Sequence, residues 1–90
     1  MKKLILALEE TLSFLRNSQS SAWSNMSIEE LIKTLETEIA KAKQKQAIDT
    51  KLLRLLFLPT ADIQDTAIDN GWGDEFLRIA QIVDQFIGSS

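Results

Sequence analysis

Cysteine, histidine and tyrosine are absent from this chain of 90 residues, and proline occurs once. Without cysteine there is no disulfide, no thiolate nucleophile and no thiolate metal site. Without histidine the commonest general base and the commonest metal ligand are missing. Chemistry would have to rest on carboxylates, Lys, Arg, Ser or Thr. No apolar run approaches the ~20 residues of a membrane span. The opening MKKLILALEE sets two lysines before a short apolar run, but Glu9 and Glu10 interrupt it and no small-residue cleavage site follows. It reads as the first turns of a helix, and the expected location is the cytoplasm.

What is present suits one small globular domain spanning residues 1–90. The hydrophobic share of 44% is ordinary for a folded chain. The net charge is −3 and is unevenly spread: residues 1–58 carry +2 and residues 59–90 carry −5. That acidic second part repels phosphate backbones, so nucleic acid is not an expected partner. Lys41, Lys43 and Lys45 read as a solvated helix end.

Apolar spacing predicts helices throughout. Over residues 3–16, Leu4, Leu8, Leu12 and Leu15 share a face that Ile5, Ala7, Thr11 and Phe14 widen, while Leu6 falls among polar residues. The connector 17–26 is serine-rich, and its Trp23 is expected to fold back as a lid on the core. Ser27 and Glu30 form a capping box, with Met26 and Leu31 spaced as a hydrophobic staple. The helix they open carries Ile28, Leu31, Ile32, Leu35, Ile39 and Ala42 on one face and should run to about residue 45. Asp49 can cap a third helix through LLRLLFL, whose apolar character all round predicts the most buried element. Pro59 would end it, and Thr60 would cap a short fourth helix over residues 61–69. There Ala61, Ile63, Ala67 and Ile68 are expected inward with Gln64 among them. Asn70 and Gly71 stop this helix. The last, over residues 74–87, has Phe76, Ile79, Ala80, Val83, Phe86 and Ile87 as its buried stripe, with Leu77 on the polar side near Asp84. A frayed tail should follow. The expected fold is an all-α bundle of four to five helices.

The densest stretch for function is Leu58 to Phe76, which holds five of the thirteen acids, two of the three glycines and the only proline. Its acids invite a metal reading, but an EF-hand loop does not fit. With Gly71 at the sixth position, Thr66, Ile68, Asn70 and Leu77 fall where ligands belong; with Gly73 there, Ile68, Asn70, Trp72 and Ile79 do. Neither register supplies the oxygens, so no metal and no cofactor is expected. Asp62, Asp65 and Asp69 lie within ~60° of one another on a helix. They could form a carboxylate pair, but nothing in the sequence raises the pKa of one of them, so no catalytic residue is assigned. Trp72 between two glycines reads first as a plug at the end of the bundle, and otherwise as an aromatic anchor for a partner.

LFLPT, the following Ile63-Gln64, and AIDNGWGDEFL resemble a signature of small bacterial proteins of no assigned function, in which an LFxPTGxLQ-type stretch precedes an NGWGxEFL-type one. Leu56, Phe57, Pro59, Thr60, Ile63, Gln64, Asn70, Gly71, Trp72, Gly73, Glu75, Phe76 and Leu77 carry the resemblance, and Ala61 stands where glycine is expected. The resemblance implies no activity, substrate or cofactor. The favoured function is a non-enzymatic helical protein that binds protein, itself included. Leu6 or Leu77 would supply the face of a homodimer, and Asp62, Asp65, Asp69 and Trp72 the surface for another partner. Two alternatives stand beside it: an immunity- or antitoxin-type inhibitor of a basic partner, and, less favoured, a small carboxylate enzyme.

Overall fold

The hydrophobic spacing of the sequence is realised, in the computed structural model, as five helices and no strand among the described residues, which are 2–19, 27–57 and 62–87. Helix α1 (Lys2–Arg16) buries Leu4, Ala7, Leu8, Thr11, Leu12 and Leu15, the face expected of it. The Thr11 hydroxyl reaches the core because it donates to the Ala7 carbonyl at 2.9 Å, so its burial does not strand that donor.

Helix α2 (Ile28–Lys43) begins where the capping pattern places it. The Ser27 Oγ accepts from the Glu30 amide and donates to the Glu30 carboxylate, both at 3.2 Å. Its end comes slightly earlier than expected. Lys45 takes up the left-handed conformation at φ 58°. Its amide donates to Ala42 O at 3.2 Å and that of Gln46 to Lys41 O at 2.8 Å. This is a Schellman closure with lysine where glycine is usual. Helices α1 and α2 run antiparallel, with ion pairs Arg16–Glu36 at 2.7 Å and Lys43–Glu9 at 2.9 Å along their outer edge. These pairs are about half exposed, so they align the helices more than they hold them.

Helix α3 (Thr50–Leu56) is capped by Asp49, whose Oδ1 accepts from the Leu52 amide at 3.0 Å. It is not the most buried element. Leu53, Leu56 and Phe57 are inside, but Leu55 is 56% exposed, because α3 packs chiefly on one neighbour, α5, and turns its other side outward. The central elements are α1, which touches α2, α4 and α5, and α5, which touches α1, α3 and α4.

Helix α4 (Asp62–Asp69) buries Ile63, Thr66 and Ala67. Gln64 is half-buried, as expected, but Ile68 is exposed, since the face chosen by Ile63, Thr66 and Ala67 leaves it about 100° round the helix. Helix α5 (Gly73–Ile87) buries Phe76, Ile79 and Val83. Ala80 and Ile87 are only half-buried and Phe86 is 39% exposed, so the inward stripe is narrower than the sequence implied. The bidentate pair of Arg78 with Glu10 joins α5 to α1. Trp23, Met26, Pro59, Thr60 and the tail 88–90 lie outside the described residues, and so do the roles expected of them.

Candidate partner-binding surfaces

The NGWG run is built into the architecture. Gly71 has φ 82° and closes α4: its amide donates to Ile68 O at 3.3 Å and that of Trp72 to Ala67 O at 2.8 Å. A side chain with Cβ is strained in that conformation, which is why glycine stands there. Gly73 has no such need, being the first residue of α5. The Trp72 carbonyl accepts from the Phe76 amide at 2.9 Å, so one residue ends α4 and starts α5.

The Trp72 ring is 4% exposed and stacks on Phe14 of α1 with centroids 4.8 Å apart and planes 8° from parallel. Its Nε1 donates to Ser18 Oγ at 2.9 Å, and that hydroxyl donates to Phe14 O at 2.7 Å. Both the apolar body and the polar edge of the indole are therefore engaged inside the fold. Asn70 completes the joint. Its Oδ1 accepts from the Gln19 amide at 2.9 Å, and its Nδ2 donates to Gln19 O at 2.8 Å and Thr66 O at 2.9 Å. The side-chain amide thus pairs with the main chain after α1 much as a strand neighbour would.

Of the four residues expected to face a partner, the structure separates one from the other three. Trp72 is interior. Asp62 and Asp65 are half-buried and Asp69 is exposed on α4, with Asp74 and Glu75 exposed just beyond the turn. Burial of Trp72 follows from the antiparallel packing of α5 on α1, which lays Phe14 directly against it.

One carboxylate that the sequence reading did not single out is more buried than any aspartate. Glu38 is 2% exposed. Its Oε1 accepts from the Asp49 amide at 2.7 Å, and its Oε2 pairs with Lys41 Nζ at 3.0 Å. It anchors the start of α3 to α2. The only signal available in the sequence was its place beside Ile39 and Ala42 on the inward edge of α2.

Two clefts among the described residues combine an apolar lining with an exposed leucine. The first is a cleft of about 350 Å³ between α3 and α5. Phe57, Phe76, Ala80, Val83 and Ile87 line it, and Leu77, 52% exposed, stands at its edge. Arg54 flanks it from α3, donating to Ile87 O at 3.3 Å, and Asp84 flanks it from α5. Phe57 and Phe76 stack at 5.9 Å across its base. The second surface surrounds Leu6 and Ile5, where Lys2 of α1 meets Lys43 and Lys45 from the end of α2, with Glu9 among them. The exposure of Leu6 and Leu77 was legible in their polar neighbours. The pairing of α3 with α5 that makes the first cleft was not.

The Arg78 guanidinium has its pKa raised, chiefly by the hydrogen bond to Glu10 and secondarily by that carboxylate's charge. It stays protonated at every working pH. Among the described residues no group of three acids is placed to hold a metal, and no helix is long and apolar enough to cross a membrane. Comparison with protein-family models, with curated proteins and with solved structures finds no match for this chain.

Proposed function

We propose that this protein is a non-enzymatic binding module of the bacterial cytoplasm that contacts protein through the cleft between α3 and α5. The observation that carries the reading is the cleft itself. It is walled by apolar side chains and edged by the exposed Leu77. An apolar depression with a few polar groups at its margin is the kind of surface on which a partner's aliphatic or aromatic anchor is desolvated. The test is capture from the native host with the wild-type chain and with Leu77→Asp as baits. A partner retained by the first and lost by the second is expected. Identical binding profiles would refute the use of this cleft.

A second reading, an immunity- or antitoxin-type inhibitor of a basic partner, draws on a different observation. Asp69, Asp74 and Glu75 are all exposed around the α4–α5 turn. The one cation of residues 59–90, Arg78, is engaged by Glu10. Such a surface would speed encounter with a cationic protein at low salt. Changing Asp62, Asp65 and Asp69 together to Asn should then slow association at low salt; an association rate indifferent to the change at low salt would end that reading.

A further inference from the structure

We propose that the occupant of the α3/α5 cleft is a second copy of this chain, paired about a two-fold axis that runs along the cleft in the plane of contact. The proposal rests on the reading that the cleft binds protein, and goes further by naming the partner.

The argument is one of self-complementarity. A two-fold contact is reciprocal, so whatever one copy presents it must also receive. With the axis along the cleft, α3 of one copy lies over α5 of the other, and heights along the cleft are preserved. Arg54 and Asp84 stand near the same level, since Arg54 bonds to the carbonyl of Ile87, one turn after Asp84 on α5. Each copy's Arg54 therefore faces the other's Asp84. Leu77 lies two turns back along α5, next to Phe76, and Phe76 is level with Phe57 through their stacking. Each copy's Leu77 therefore faces the other's Phe57. The same operation yields two opposite-charge contacts and two apolar ones.

Charge also selects this face over the others. A chain of net charge −3 repels its own copy in general. The exposed acids around the α4–α5 turn would meet acids, and the lysines around Leu6 would meet lysines. At the α3/α5 cleft the flanking charges have opposite sign on opposite walls; the groove between α1 and α2 shares that pattern, but its four charges are already paired within one chain. A small domain with an open apolar cleft gains stability when a second copy closes it.

The test is sedimentation equilibrium on the full chain from about 1 μM to about 1 mM, in buffers near physiological ionic strength. The wild type is expected to move toward twice its 10.2 kDa mass. Leu77→Asp should remain at the monomer mass with an unchanged helical circular dichroism spectrum. Asp84→Arg alone and Arg54→Glu alone should each weaken association by about tenfold or more. An equimolar mixture of these two variants should recover it, because each then supplies the charge the other lost. A mass of 10.2 kDa across the whole range overturns the proposal. So does a dimer indifferent to Leu77→Asp, or a mixture no tighter than either variant alone. If the chain stays monomeric while the wild type, and not Leu77→Asp, retains a host protein, the self-pairing falls and the protein-binding reading stands. If neither effect is seen, both fall.

Discussion

Removing the side-chain amide of Asn70 should loosen one joint of the fold. Asn70 makes three hydrogen bonds, two with the main chain at Gln19 and one with Thr66 O. A neutral hydrogen bond contributes about 0.5–1.5 kcal/mol net. The two at Gln19 are open to solvent, so water replaces part of what Asn70→Ala takes away; the bond to Thr66 O is half-buried. The expected loss is therefore about 2 kcal/mol, a sizeable share of the roughly 5–15 kcal/mol that holds a small domain. For a chain of this length it corresponds to a fall in Tm of roughly 10 °C. Asn70→Asp is the sharper variant. It keeps the acceptor for the Gln19 amide but replaces the donor that serves two carbonyls with an oxygen, and so should be no better than alanine. Urea unfolding with a constant slope gives the energy, and amide exchange at Gln19 gives the location. If Asn70→Ala moves stability by less than about 0.5 kcal/mol, or if the Gln19 amide stays protected, the joint is not held as described.

Further outcomes follow from other residues. Lys45→Gly should stabilise by about 0.5–1 kcal/mol, because lysine occupies a left-handed position at φ 58° that glycine adopts without strain; a lower urea midpoint would count against this. Gly71→Ala should destabilise by about 1–2 kcal/mol, while Gly73→Ala should be neutral or mildly stabilising. A Cβ at Gly73 would meet Ile68 Cγ1 at 3.4 Å, an ordinary contact, so equal losses at the two glycines would show that the left-handed turn is not the reason for Gly71. Glu38→Ala should lower stability by about 2–3 kcal/mol, since it strands the Asp49 amide and removes a charged hydrogen bond; a wild-type urea midpoint would show that the anchor is dispensable. Arg78→Gln should change the urea midpoint at low salt and leave it unchanged near 1 M salt, where exposed pairs are screened. The guanidinium pKa is raised in the folded chain, so its contribution is complete below the unfolded value and lost only in strong alkali. Stability between about pH 5 and pH 9 should therefore show no slope from Arg78.

Local rules determined much of this protein. Helix existence follows from apolar spacing, because a helix must bury a stripe every 3.6 residues wherever it packs. Ser27 and Asp49 cap their helices because a short oxygen-bearing side chain satisfies an amide within its own first turn. Gly71 is readable for the same reason: its left-handed backbone is a property of the turn and not of what surrounds it. Leu6 and Leu77 were readable as exposed from their polar neighbours on the same arc.

What remained depended on which helix lies beside which. LLRLLFL is equally apolar on every side, and only its docking on α5 leaves Leu55 outside and Leu53 inside. Trp72 could have faced a partner or the core, and the antiparallel packing of α5 on α1 decided for Phe14. Glu38 is buried because the amide of Asp49 arrives to meet its carboxylate, eleven residues along the chain. The cleft flanked by Arg54 and Asp84 joins residues thirty positions apart. A pattern within one helix specifies which face turns inward, but not what it meets there. That is a free-energy choice among whole packings, made by the cores they bury and the charges they bring together.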